Sequence, residues 1–341
     1  MKVLITGATG FLGRATVTTA LAAGHDVVAL HRPASAPPPE CGTESKLHRL
    51  PADLREPGDW CLAMEQVEAV IHCAAVASGD LHTQLSGTVL GTENLLHALP
   101  TSLRRFVQVS SLSVYDFDKP RLSGSLTEDT PLEVSPQRRD AYTQTKLLQE
   151  RLIRRFALAK RVPLVVVRPG AIYGPDRTWD WGRALKAGPF DLIFAPLAPM
   201  RLVYVGNCAK GLVAALTCEV DRELCINLVD VEQPSHWRYH RLARRSGAEL
   251  GIPVPVPYWS VLALGAAARL ASKLFFGGRA RLPELLDLPR QRVRWRPLRY
   301  CRKGASELLK GAELSRLEQV LAQLTGDRDL ASTPRGRNAA Q

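Results

Sequence analysis

Tyr142 and Lys146 stand four residues apart in the stretch DAYTQTKLLQE, residues 140–150. On a helix that spacing puts both side chains on one face, one turn apart. The ordinary reading is a half-buried tyrosine beside a solvated lysine. The chemical reading is an ammonium that lowers the phenol pKa, normally about 10, until the group trades protons near neutral pH. A tyrosine acid needs a substrate and a partner in the reaction, so other residues must supply their sites.

Directly after the apolar run KVLIT (2–6) the chain reads TGATGFLGRA. Gly7, Gly10 and Gly13 follow a G-x-x-G-x-x-G spacing at a strand-to-helix turn. Glycines there permit a tight turn and let the backbone approach a pyrophosphate, which sits on the N–H groups opening the helix. Gly13 is followed by Arg14, where a Walker A loop needs lysine, which argues against nucleoside triphosphate hydrolysis. The end of the second strand selects the dinucleotide, because an acidic residue there would hydrogen-bond the ribose 2′-hydroxyl of NAD. Here that strand ends in ALHRP, the next acidic residue is Glu40, and Arg32 is placed to meet a 2′-phosphate. NADP is therefore expected over NAD. Asp53 and Leu54 follow the third strand, where a carboxylate can accept hydrogen bonds from an adenine; a plain turn aspartate reads equally well.

These residues need a scaffold, and the hydrophobic pattern describes one. Continuous apolar runs at 2–6, 26–30, 69–73, 105–110 and 163–168 read as strands covered on both faces. Helical stretches at 12–23, 83–98 and 140–160 lie between them. That alternation predicts an α/β fold: a doubly wound, Rossmann-type parallel sheet built from βαβ units. Runs at 201–205 and 225–229, flanking a helix near 207–217, are expected to complete the same sheet. The dinucleotide-binding core is thus expected over 1–175, with 201–230 completing it. Residues 176–200 and 231–324, rich in Gly, Pro, Trp and Arg, are expected to form a smaller substrate-binding lobe, and 325–341 a disordered tail.

Composition narrows the setting. Seven cysteines, scattered and without C-x-x-C spacing, indicate reduced thiols in a cytoplasmic protein and no metal site. The N-terminus MKVLITGATGFLG breaks into glycines too early for a signal peptide. From His236 to Lys310 there are sixteen Lys and Arg against four Asp and Glu, an excess equal to the formal net charge of +12. A basic C-terminal third points to an anionic substrate or a membrane surface, with a solvated arginine-rich face as the plainer account. The apolar stretch 258–276 carries Arg269 and Lys273, which argues against a membrane span and for a lipid-facing helix or a pocket lid. No nucleic-acid module is present to make nucleic acid the partner.

Together these residues resemble the extended short-chain dehydrogenase/reductases, from Met1 to about residue 310. The matching elements are TGATGFLG at 6–13, DL at 53–54, HCAA at 72–75, GTENLL at 91–96, VSSLSVY at 109–115, YTQTK at 142–146 and RPGAIYGP at 168–175. The resemblance implies that Tyr142 moves the proton of a carbonyl/alcohol pair. Lys146 lowers its pKa and holds the nicotinamide ribose, and Ser111, rather than Ser110 or Ser113, orients the substrate oxygen. It implies that Gly7, Thr9, Gly10, Phe11, Leu12 and Gly13 hold the dinucleotide, that Ala74 and Ala75 line it, and that Pro169 and Ile172 pack near the nicotinamide. Extended members often dimerise through a four-helix interface, which would here use 83–98 and 140–160.

Departures sharpen the subclass. Dehydratases of the family carry Asp-Glu after the serine or threonine; Leu112 and Ser113 stand there. Nucleotide-sugar epimerases usually carry an asparagine where this chain has Ala171, and Thr88 stands where the family often has asparagine. RPGAIYGP and the apolar C-terminal stretch resemble the branch of 3β-hydroxysteroid dehydrogenases and dihydroflavonol reductases, which act on bulky apolar ketones or alcohols. The leading expectation is an NADP-dependent oxidoreductase acting on a small apolar or anionic substrate. A nucleotide-sugar epimerase with tightly held NAD(P) comes second, and a non-catalytic NADP-binding regulator third.

Overall fold

The computed structural model describes residues 1–35, 46–175, 177–277 and 288–331; Glu40 and the tail beyond Ala331 lie outside them. In chain order, β1 (Lys2–Thr6) leads into α1 (Phe11–Ala22), then β2 (Asp26–His31), β3 (Leu47–Pro51) and β4 (Ala69–His72). A helical run follows as α2 (Leu81–Gln84), a π-helical segment (Leu85–Leu90) and α3 (Gly91–Ala98). Next come β5 (Arg105–Val109), β6 (Ser125–Leu126), α4 (Ala141–Lys160), β7 (Leu164–Pro169) and β8 (Ala171–Tyr173). The chain continues through β9 (Leu185–Ala187), β10 (Phe190–Phe194), β11 (Leu202–Tyr204), α5 (Val205–Ala214) and β12 (Glu223–Leu228). It ends with α6 (His236–Arg245), β13 (Ile252–Val256), α7 (Tyr258–Phe276), α8 (Leu288–Trp295), β14 (Arg299–Tyr300), α9 (Lys303–Leu308) and α10 (Leu317–Ala331).

The continuous apolar runs make a seven-stranded, all-parallel sheet in the order β12-β7-β5-β4-β1-β2-β3. Both faces are covered. Val17, Ala20 and Leu21 of α1 pack with Cys208 and Leu212 of α5 on one side. Leu95 and Leu96 of α3 pack with Ile153 and Ala157 of α4 on the other. The chain winds outward from β1 to β3 and then returns to β4, so strand order reverses between β1 and β4. A crevice at that switch point, outside the carboxyl ends of the strands, is where such sheets bind ligands. β3 escapes the apolar-run pattern because it is the edge strand: of LHRLP only Leu47 is buried.

Two expectations need correction. Residues 225–229 do supply β12 beside β7, but 201–205 do not extend the main sheet; β11 pairs with β8 in a separate parallel ribbon. The cause is at Gly170. There the chain turns out of β7, and a Cβ would sit 2.1 Å from the Arg201 carbonyl oxygen, so only glycine lets the two backbones close. The second correction concerns the C-terminus. The helix α10 runs through Ala331, past Thr325, where a disordered tail was expected; its earlier turns bury Leu317, Val320, Leu321 and Leu324 with Tyr239 and Ala243 of α6.

Beyond β8 the chain builds a three-stranded sheet, β13-β10-β9, with α6 against it. It also returns to the first layer: Ala305 of α9 and Leu309 join the core under the seven-stranded sheet, and β14 pairs with β6.

Candidate active site

The glycine turn is shaped by what it must pass. Gly7 has φ of +64°, a region that suits glycine, and a Cβ there would lie 3.0 Å from Ala74 N and Cα. Gly10 N–H donates to the Gly7 carbonyl at 2.9 Å. A Cβ on Gly13 would fall 2.0 Å from that same carbonyl oxygen, so the absent side chain lets α1 close on β1. Gly10 caps α1 with no side-chain bond, so no side chain answers the amides of its first turn. A cradle without side chains and an uncapped helix end fit a pyrophosphate. Around it, the Thr9 carbonyl accepts from Arg14 Nε at 2.9 Å, and Leu12 packs on the sheet core. The Phe11 ring lies 4.8 Å from the Arg177 guanidinium.

At the far end of the crevice Arg32 is exposed just beyond β2. It sits close enough to Asp53 to add a small share to the lowering of that carboxyl's pKa, which the Arg55 hydrogen bond mainly causes. Asp53 is occupied locally: both its oxygens take the Arg55 guanidinium, at 2.6–3.1 Å, and one also accepts the Arg55 N–H. That is the bonding of a turn aspartate. Leu54 is buried, and its carbonyl accepts from Asn94 Nδ2 at 2.8 Å, tying this loop to α3.

α4 carries the pair. Asp140 caps it by accepting the Thr143 N–H at 2.7 Å, which sets Tyr142 and Lys146 on successive turns facing the end of β5. The three neighbouring serines divide cleanly. Ser110 is buried and donates to Glu150, which also holds Arg168 at 3.0 and 2.8 Å. The Ser113 hydroxyl is buried without a partner. Ser111 caps the short turn Leu112–Val114, accepting the Ser113 N–H at 3.1 Å, and its side chain lies near enough to the Tyr142 phenol to act on its pKa. Ser111, Tyr142 and Lys146 are thus brought together.

Their electrostatics differ from the sequence-based expectation. The Tyr142 pKa is raised, chiefly by burial, with the Ser111 hydroxyl opposing and the Asp140 carboxylate adding. Lys146 does not lower it. Its ammonium points away, donating to the Val109 carbonyl at 2.8 Å and to Gln149 Oε1 at 2.9 Å. Lys146 itself is brought down to about 8 by burial, against the pull of Cys73 and Glu150.

The lysine is anchored by a buried polar network that the pair pattern does not announce. Register places Thr6 beside His72 at the ends of β1 and β4. Thr6 Oγ1 accepts the Ala74 N–H at 3.2 Å and is hydrogen-bonded to His72 Nδ1 at 2.7 Å. His72 Nε2 lies 2.9 Å from Thr92 Oγ1 and 3.1 Å from Gln149 Nε2, and Thr92 donates to the Thr88 carbonyl at 2.6 Å. Gln149 closes the ring, donating to Thr92 Oγ1 at 2.9 Å and to the Ala74 carbonyl at 3.3 Å. A signal was available: Gln149 lies three and seven residues after Lys146 and Tyr142, on their helix face. Thr6 and His72 are likewise polar residues closing apolar strands.

The remaining positions lie around this group. Ala74 and Ala75 are half-buried beyond β4, Pro169 is buried at the end of β7, and half-buried Ile172 packs on the sheet core. The Ile172 carbonyl accepts from Trp179 Nε1 at 2.8 Å. A separate cavity of about 630 Å³ is lined by Ser125, Thr127, Pro199, Gln233, Tyr300 and the arginines 299 and 302, among others. It does not include Tyr142.

Comparison with known proteins gives the family. The model of the NAD dependent epimerase/dehydratase family fits residues 3–223. Over 228 residues the chain is 31% identical to a 3 beta-hydroxysteroid dehydrogenase/Delta 5→4-isomerase of Mycobacterium tuberculosis, covering 63% of this chain and 60% of that relative. It is 25% identical over 238 residues to an uncharacterized UDP-glucose epimerase, YtcB, of Bacillus subtilis, covering 63% of this chain and 72% of that one. The solved UDP-glucuronic acid 4-epimerase of Bacillus cereus, in complex with NAD, shares the fold at a TM-score of 0.68 and 21% identity, over 94% of each chain. The glycine turn, the strand order and the family match agree: the chain belongs to the NAD dependent epimerase/dehydratase family.

Proposed function

We propose that this protein is an NADP-dependent oxidoreductase acting on a secondary alcohol or ketone of a small apolar or anionic molecule. The observation that carries the reading is the grouping of Ser111, the Tyr142 phenol and a buried Lys146 at the end of β5, on the side of the sheet that also carries the glycine turn. The bound dinucleotide supplies hydride transfer at its nicotinamide. Ser111 and Tyr142 hold the substrate oxygen between two hydroxyls. In the reductive direction Tyr142 gives its proton to that oxygen as the carbon–hydrogen bond forms, turning C=O into CH–OH. A phenol whose pKa burial has raised stays protonated at neutral pH, which suits the acid of a reduction. Lys146, one turn on and held by Val109 and Gln149, would hold the nicotinamide ribose. In oxidation the same groups run backwards, with Tyr142 as base.

Arg32 is the proposed selector of the cofactor, an exposed cation at the end of β2 whose neighbour Asp53 is already held by Arg55. Gly7, Thr9, Gly10, Phe11, Leu12 and Gly13 would hold the pyrophosphate, and Ala74, Ala75, Pro169 and Ile172 the nicotinamide end. The name of the mycobacterial relative supports a bulky apolar alcohol as substrate class. The epimerase reading is favoured by the YtcB match and opposed by Ala171, which lacks an amide to hold a sugar nucleotide. The test mixes purified protein with NADPH and a panel of apolar ketones and UDP-sugars. Stoichiometric loss of NADPH absorbance with a ketone supports the oxidoreductase. Interconversion of a UDP-sugar with no net absorbance change would replace it by the epimerase, and NADPH binding without turnover of any substrate by the regulator.

A further inference from the structure

We propose that the outward face of α7 docks this protein onto an anionic lipid surface. Among the described side chains of that helix, Val261, Gly265 and Ser272 are the buried positions, and they mark the face turned to the protein. The opposite face carries Trp259, Ala263, Ala266, Leu270 and Leu274, at i, i+4, i+7, i+11 and i+15, all exposed. Trp259 is 71% exposed and Leu274 is 70% exposed. Leu264 and Phe275 widen this stripe along one flank, and Phe275 is itself 78% exposed. Single exposed apolar residues are ordinary. An unbroken stripe at helical period is not, because the solvent face of a surface helix is normally polar.

The other flank names the occupant. Arg269 and Lys273, both exposed, lie one turn apart along the edge of the stripe. Their stems can follow the apolar face while their heads reach outward to phosphates. The surrounding segment from His236 to Lys310 holds the whole formal excess of positive charge. A helix with an apolar stripe, a tryptophan at one end and cations along one side is what an anionic membrane interface binds. A second copy of the chain fits less well. Two antiparallel α7 helices paired about a two-fold axis would set Arg269 and Lys273 against their own copies, like charge against like. At about 1.5 Å per residue the stripe runs on the order of 24 Å, lying along the surface. Among the described residues no helix is long and apolar enough to cross a membrane.

The test is co-sedimentation of the full chain with vesicles of phosphatidylglycerol and phosphatidylcholine, or of phosphatidylcholine alone. Binding is expected to the anionic vesicles only, and to fade between 0.1 M and 1 M salt as the Debye length falls from about 10 Å to about 3 Å. Replacing both Leu270→Gln and Leu274→Gln should lower partitioning by about tenfold or more. Arg269→Gln and Lys273→Gln should each lower it by about fivefold. These side chains face solvent, so unfolding curves should stay unchanged, and either set of variants tests the face independently. Absence of wild-type binding to anionic vesicles overturns the proposal, as does undiminished binding by the double leucine variant. A dimer that Leu270→Gln dissolves, in a protein that ignores vesicles, would make the face a subunit contact and overturn it equally.

Discussion

Acidification should unfold this protein through His72. The ring is 1% exposed and hydrogen-bonded to Thr6 at Nδ1 and to Thr92 at Nε2. A second proton would sit in a dry core and would face the Lys146 ammonium. Burial first, and Lys146 second, bring its pKa from 6.5 down to about 3. In the unfolded chain the imidazole titrates at its ordinary value. As pH falls from 6.5 toward 3 the unfolded state takes the proton and the folded state does not, so stability drops over that window and is complete above it. At about 1.4 kcal/mol per pH unit, His72 alone removes about 2 kcal/mol at pH 5 and about 3 kcal/mol at pH 4. His236 is also buried, against Trp295, and is likewise lowered to about 3, mainly by burial. Both together approach the whole stability of an ordinary domain, about 5–15 kcal/mol. The assay is urea unfolding at intervals from pH 7.5 to 4, comparing wild type with His72→Gln. The variant is less stable at neutral pH, having lost a shaped partner for Thr6 and Thr92, but its stability should fall with pH more gently, by about one proton. Parallel pH slopes for the two proteins would refute the reasoning.

Three further outcomes follow from the site. Tyr142→Phe should keep dinucleotide binding in a fluorescence titration while turnover drops by about 10² or more; activity within a few-fold of wild type would remove the phenol from the chemistry. Arg32→Asp should weaken NADP by about tenfold or more and leave NAD little changed, since a charge-assisted phosphate contact becomes a repulsion; equal native affinity for the two would contradict the assignment. Gly13→Ala would drive a Cβ to 2.0 Å from the Gly7 carbonyl, backbone against backbone. It should cost on the order of 2–3 kcal/mol and weaken dinucleotide binding, read as a lower Tm and a shifted titration.

What the chain could declare by itself was local. Continuous apolar runs such as Val3–Ile5 and Val165–Val167 can only be strands covered on both faces, so the parallel sheet followed from them. Glycines at 7, 10 and 13 state a turn that no side chain may enter, and i, i+4 spacing alone puts Tyr142 and Lys146 on one face. Edge strand β3, half exposed, left no such mark. Everything set by distant packing waited for the tertiary structure. Which serine reaches Tyr142 depends on Glu150 drawing Ser110 away. Whether 201–205 joins the sheet depends on how close Gly170 brings two backbones. The stripe on α7 reads as apolar in sequence, but only packing on Val261 and Ser272 decides that it faces out. The phenol's pKa turned upward, contrary to the pair pattern, because desolvation is set by the whole surrounding fold, and the lysine meant to lower it was already bonded to Val109 and Gln149. Periodicity and backbone freedom belong to neighbouring residues and can be read along the chain. Burial and long-range hydrogen bonds belong to residues far apart in sequence, and exist only once the chain has folded.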